Sequence, residues 1–341
     1  MFTLAEMKKT SGMIVPVWFP ESMSLEDMER VLTPALVDVG AYCSQENVLA
    51  IVDGAPKTQE AALRVQKRIG GFEIVFKEKN EGKGGVVATG IDRLLKNPSV
   101  RFIVVRDHDN DHLVNDALNL VNLSAKMQAD TGSDLVTAIG CRTSVHRHLG
   151  FVRGEYEWMI NEVAFESAKY ALARQGKTIN SQYYAAYKLV PDMQTGFKCY
   201  GRSAAKLIVD ALNQASSLTP GLDVRRNGAE IPPIIETLLH GGTIGEVIRS
   251  TCETQPLSTY DLAGRVQVKG TVLAWTLRRT DVPTTVARQL LANAIARRLM
   301  SKEESGMKDL LTLANWTLEK MAGFRGETVE PIKTLKFAEY F

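Results

Sequence analysis

The sequence predicts an α/β fold, a mostly parallel sheet flanked by helices, with a helical C-terminal extension. Three observations predict it. Short β-branched apolar runs alternate with helical patterns through the first half of the chain. One run, Phe102–Val105, leads straight into carboxylates at alternate positions, Asp107, Asp109 and Asp111. Beyond about residue 260 the strand pattern gives way to amphipathic helix. The expected division is therefore residues 1–260 for the sheet domain and 261–341 for the extension.

The elements follow in order. Met13–Val17 is the first apolar strand, broken by Pro20-Glu21-Ser22. Ser24 reads as an N-cap, because acids follow in the first turn from Leu25. Val48–Val52 is the second strand, ending in Asp53-Gly54, and a basic helix spans Gln59–Ile69. Phe72–Phe76 is the third strand. Asn80–Gly85 reads as a glycine-rich loop before a helix over Val86–Leu95. The strand at Phe102 follows, then another at Leu135–Ile139. A helix is expected over Glu155–Gln175, with Trp158, Ile160, Val163 and Phe165 supplying core. Val282–Leu299 and Met307–Met321 are the amphipathic helices of the extension, with a turn at Ser301–Gly306. They would cover the sheet or pair with a second copy, which makes a homo-oligomer one expectation.

Composition narrows the function classes. With 341 residues, 45% apolar and 23% charged, the chain suits a globular domain with a large core. A net charge of +2 without a basic run argues against nucleic-acid binding. No apolar stretch approaches the roughly 20 residues of a membrane span. No apolar region follows Lys8 and Lys9, so no signal peptide is expected. Cys43, Cys141, Cys199 and Cys252 are isolated and read as reduced thiols, which favours a cytoplasmic protein.

The chemistry centres on the Asp-rich turn. Alternate residues on extended chain point the same way, so Asp107 and Asp109 can converge. Converging carboxylates repel unless a cation lies between them, and hard oxygens suit Mg²⁺ or Mn²⁺. A frame of Asp109 and Asp111 is the alternative, and a solvated acidic turn with a helix cap is the plain one. In Gly82-Lys83-Gly84-Gly85, backbone amides and Lys83 could approach an anion, although the Walker A and G-x-G-x-x-G spacings are absent.

This series of motifs resembles the nucleotide-sugar domain of GT-A glycosyltransferases, close to glycosyltransferase family 2 and mannosylglycerate-synthase-like enzymes. The resemblance rests on Val15-Pro16, Val52-Asp53-Gly54, Asn80-Glu81-Gly82-Lys83-Gly84 and Asp107-His108-Asp109. It covers about Met13–Val247. It implies that Pro16, Asp53, Lys83 and Asp107 bind the nucleotide sugar, with Asp53 at the base and Lys83 by the diphosphate. It implies that Asp107 and Asp109 hold the metal. Val190–Arg202 resembles the Asp-x-x-x-Gly-Phe-Lys stretch in which an acid lies beside the acceptor, which makes Asp192 the candidate catalytic residue. Glu230, before Ile231-Pro232-Pro233, corresponds to a further family acid displaced by two residues. The single Asp53 where the family has two acids is a departure, as is Pro16–Glu21 where it has Pro-x-x-Asn-Glu.

The implied activity is transfer of a hexose from a nucleotide-diphosphate sugar to a small hydroxyl acceptor. A sugar nucleotidyltransferase is one alternative, although its glycine-rich loop after the first strand is missing here. A non-catalytic sugar-nucleotide-binding protein is the other. His146 and His148 are a surface pair in this reading, and His240 a satisfied helix-end residue.

Overall fold

The computed structural model describes residues 1–146, 150–184, 190–250 and 262–333. His148 and Cys252 lie outside them. In chain order the main elements are α1 (Leu4–Thr10), β1 (Ser11–Val17), α2 (Leu25–Leu36), α3 (Val39–Tyr42), β2 (Val48–Asp53), α4 (Pro56–Ile69), β3 (Glu73–Lys77), α5 (Gly82–Leu95) and β4 (Phe102–Val105). Then come α6 (Ala117–Thr131), β5 (Val136–Cys141), α7 (Phe151–Ala173), β6 (Lys198–Gly201), α8 (Arg202–Leu218), α9 (Val224–Asn227), α10 (Ile231–Leu239) and β7 (Thr243–Ile248). The C-terminal helices are α11 (Leu262–Arg279), α12 (Thr284–Ala296) and α13 (Glu304–Gly323).

The seven strands form one sheet in the order β3-β2-β1-β4-β6-β5-β7. All neighbours are parallel except β6, which runs antiparallel to β4 and β5. The expected α/β class is borne out. β1 is buried along its whole length because both faces are covered, the reason its sequence is continuously apolar. Met13, Val15 and Val17 join the cluster under α2, α4 and α6. Ile14 points the other way, into the cluster under α5 and α8.

Chain order reverses at β1. β2 lies on one side of it and β4 on the other, so a crevice opens beyond the carboxyl ends of β1 and β4. In open α/β sheets, ligands bind at such a switch point. The sequence motifs at Pro16 and Asp107 therefore flank one crevice.

Three expectations need correction. The glycines at 82–85 are the first turn of α5 and not a loop before it. β6 was not anticipated, because it has only four residues and starts with a lysine. Trp158 is not core; it is half exposed, with the Arg298 guanidinium 5.0 Å from its ring.

The C-terminal helices build a third cluster with α7 and α10. Trp275, Leu291, Leu313 and Leu318 pack together with Ile160 and Ile235. Their apolar faces are thus covered within the chain. Among the described residues, no helix is long and apolar enough to cross a membrane.

Candidate active site

The strand β4 delivers Asp107 to the crevice, and three side chains fix the turn that follows. Arg106 is buried and donates to the carbonyls of Ala35 (2.8 Å) and His112 and to Asn110 Oδ1 (3.2 Å). Asn110 takes a positive φ of 64°, which Asn tolerates better than most residues. The Asp107 amide donates to His112 Nδ1 at 3.0 Å. Burial, the largest influence, holds His112 well below its ordinary pKa, so the ring is neutral. Its accepting Nδ1 places the proton on Nε2, 3.7 Å from Asp107 Oδ2. The ring stacks on Phe197 with centroids 5.0 Å apart.

Lys83 bridges two carboxylates at this point. Its ammonium lies 2.6 Å from Asp107 Oδ1 and 2.9 Å from Glu230 Oε1. Burial alone would lower the Lys83 pKa, but Asp107 and Glu230 outweigh it and hold it above its ordinary value. For Asp107, burial would raise the pKa, and Lys83 reverses this and holds it well below the usual carboxylate range. The group is not sealed. The Lys83, Asp107 and Glu230 side chains are 29%, 26% and 26% exposed. Gly196 lies directly against the pair, since a Cβ there would sit 2.6 Å from both Asp107 Oδ2 and Lys83 Nζ.

The glycine-rich turn has a different cause from the one expected. A Cβ on Gly82 would fall 2.3 Å from Arg226 Cγ, and one on Gly84 would fall 2.1 Å from the Arg225 carbonyl. These glycines make room for α9 of the same chain. Arg225 also pairs with Glu81 at 3.1 Å, and Arg226 donates to the Asn80 carbonyl at 2.6 Å. Asp53 is buried and accepts from the Glu81 and Gly82 amides, both at 2.8 Å. It therefore anchors the start of α5, where unpaired amides and the helix dipole favour a carboxylate. Gly54 takes φ +66°, and a Cβ there would meet Asn80 N at 2.3 Å. Across the crevice, His108 Nδ1 lies 2.9 Å from the Pro16 carbonyl.

Asp192 belongs to a second, deeper group. Arg142 grips it bidentately, Nε to Oδ2 at 2.8 Å and Nη2 to Oδ1 at 2.6 Å, and the Arg142 amide adds a third bond at 3.0 Å. Arg142 Nη2 also reaches Glu157 Oε2 at 2.8 Å. Burial would raise the Glu157 pKa, but Lys269, Arg142 and Arg153 bring it down to about 2. Arg142, Glu157 and Asp192 are at most 5% exposed. Neither Arg142 nor Glu157 was anticipated. The available signals were an arginine directly after the β5 apolar run and an acid on the apolar side of α7. The Asp192 amide donates to Glu246 Oε1 at 2.6 Å. Between the two groups, Lys198 is buried and donates to the Thr195 carbonyl. Burial, partly opposed by Glu230, takes its pKa down to about 7.

His240 is satisfied as read, while the expected surface pair of His146 and His148 includes a residue outside the described ones. His240 Nδ1 contacts the Glu236 carbonyl at 2.9 Å at the end of α10, and His146 Nε2 contacts Glu155 Oε1 at 2.8 Å.

The residues for a divalent ion can be tested on chemistry. Asp107 and Asp109 offer hard oxygens on one turn, while Asp109 Oδ1 also accepts from the Asp111 amide at 3.2 Å. Among the described residues, no three His, Cys, Asp or Glu side chains converge into a ligand cage. The set fits an ion that keeps water and phosphate oxygens, as Mg²⁺ does, and not a closed protein cage. Such an ion would compete with Lys83 for Asp107.

Comparisons with known proteins add little. No family model matches the chain, and no curated protein matches it. Solved structures align at very low identity. S. aureus TarS 1-349 aligns at 10% identity and TM-score 0.36, over 93% of this chain and 91% of that one. The same protein in complex with UDP-GlcNAc aligns at 11% and 0.37, over 94% and 93%. In complex with UDP it aligns at 11% and 0.35, over 96% and 97%.

Proposed function

We propose that this chain is a glycosyltransferase that moves a hexose from a nucleotide-diphosphate sugar to a hydroxyl of a small acceptor. One observation carries the reading: Lys83, whose side chain is partly exposed, holds its ammonium between Asp107 and Glu230 at the switch-point crevice. Ammonium is a compact point charge with three donors on a flexible stem, so it can turn from a carboxylate to an incoming phosphate. Pro16, Asp53 and the start of α5 frame the donor side in this reading, and Asp107 and Asp109 hold Mg²⁺ or Mn²⁺. The ion, when bound, would offset charge on the leaving diphosphate.

The chain's own groups then have defined tasks. As the bond from the anomeric carbon to the diphosphate oxygen breaks, Lys83 stabilises the negative charge that builds on that oxygen. The acceptor oxygen forms its bond to the anomeric carbon and releases its proton to a carboxylate. Glu230 suits that task, because it loses its ion pair when Lys83 turns to the diphosphate. Asp192, gripped on both oxygens by Arg142, is assigned to positioning the 192–196 segment.

The test is donor consumption. The chain with Mn²⁺ and a panel of UDP- and GDP-hexoses should release nucleoside diphosphate from one donor, faster with acceptor present. Failure of every donor both to bind and to be consumed overturns the proposal. Tight donor binding without turnover selects a binding protein instead.

A further inference from the structure

We propose that the free edge of β3 is an interface for a second copy of this chain, which pairs with it antiparallel about a two-fold axis at Val75. The inference stands apart from the glycosyl-transfer reading, because it concerns an edge of the sheet and not the crevice. It starts from a difference between the two sheet edges. At the β7 edge, the Glu246 amide donates to the Tyr183 carbonyl at 3.0 Å, so the chain covers part of that edge itself. β3 pairs with β2 alone. Among the described residues, no other backbone bond reaches Glu73–Lys77. The five inner strands are buried at every residue, whereas β3 is buried at none.

Such an edge offers its outward amides and carbonyls to another strand. The middle of β3, Ile74-Val75-Phe76, is β-branched and aromatic, and Phe76 is 44% exposed. No proline interrupts it. Charges stand only at its two ends, Glu73 and Lys77, and they are opposite in sign.

This strand is complementary to itself. With the axis at Val75, Glu73 faces Lys77 of the second copy, Ile74 faces Phe76, and Val75 faces Val75. Opposite-charge pairs and aromatic pairs with β-branched residues both stabilise directly opposed strands. A slip by one residue would set Glu73 against Phe76 or Glu78 and lose the charge match. Within one chain, Glu73 accepts from Arg93 and Lys77 lies 3.0 Å from Glu81, so both ends of β3 present their charges on the α5 face. The Lys77 ammonium bonds Thr89 and Glu81, which leaves its third donor for the Glu73 of the second copy. An interface of this kind is isologous, so every contact occurs twice. A five-residue ladder is small, so association depends on protein concentration.

The experiment is sedimentation equilibrium of the full chain from about 1 to 100 µM, the range in which a small interface dissociates. Wild type should pass from monomer toward dimer across it. Glu73→Lys and Lys77→Glu each set like charges against each other twice across the axis, so each should weaken association about tenfold or more. An equal mixture of the two variants matches every charge again and should regain the wild-type dimer. Phe76→Ser, at an exposed position, should weaken association without touching the charges. A melting temperature on each variant shows that it is folded. Wild type that stays monomeric throughout overturns the proposal. So does a dimer that survives all three substitutions, or a mixture that associates no better than its components. Growth beyond the dimer contradicts a closed two-fold contact.

Discussion

Lys83 and Arg142 each bridge two carboxylates near the crevice, and they differ in depth. Lys83 joins Asp107 and Glu230 with all three side chains more than a quarter exposed. Arg142 joins Asp192 and Glu157 with none above 5%. The residue types suit the places. Arginine's planar fork locks a bidentate geometry, while lysine can exchange partners without leaving a rigid slot. The shallow triad can therefore respond to a ligand, and the deep one holds the frame around it.

The largest effect should come from the deep triad. Arg142→Met removes the bidentate partner of buried Asp192 and one of the three cations on Glu157, and should cost about 3–5 kcal/mol of stability, read from urea unfolding. A loss below about 1 kcal/mol would mean that the deep group is not structural. The shallow triad should behave in the opposite way. Asp107→Asn should cost less stability than Arg142→Met and slow donor consumption about 100-fold or more. Equal losses of stability in both variants would erase the distinction between the groups.

Gly196→Ala probes the shallow triad from outside. Its methyl would press on the mobile ends of Asp107 and Lys83, so the chain should lose about 1–3 kcal/mol or less and turnover should drop more than stability. Wild-type turnover in this variant would show that the ion pair does not need its place. Acid should act on both triads. Glu157 and Asp107 have folded pKa values below their unfolded ones, near 4, so their stabilisation is full above about pH 5 and is lost as pH falls toward 2. His112 is depressed in the fold, so protonation of the unfolded chain should begin to lower stability already below about pH 6.5. A stability that is flat from pH 7 to pH 3 contradicts both assignments.

How much of this was legible in the sequence follows from how local each signal is. β1, β2 and β4 were readable because burial on both faces writes a continuous apolar run. Asp107 was readable because it follows such a run directly. β6 was not, since its pairing with β4 and β5 is antiparallel, distant in sequence and only four residues long. The glycines of α5 invited an anion-loop reading because nothing nearby in sequence shows Arg225 and Arg226 packing on them from more than 140 residues away. Glu230 was noticed only through the family resemblance, as an acid displaced by two residues, and the fold brings it to Lys83. Asp192 was found by motif, while Arg142, its partner 50 residues earlier, carried no motif of its own.

The central claim is that Lys83 is a transferable cation awaiting a diphosphate. The most direct measurement is calorimetric binding of UDP and GDP, each beside its nucleoside, to wild type and to Lys83→Met. The account predicts that one diphosphate binds wild type and weakens about tenfold or more in the variant, while the matching nucleoside binds both alike. Equal diphosphate affinity in the two proteins, or none in either, would contradict it.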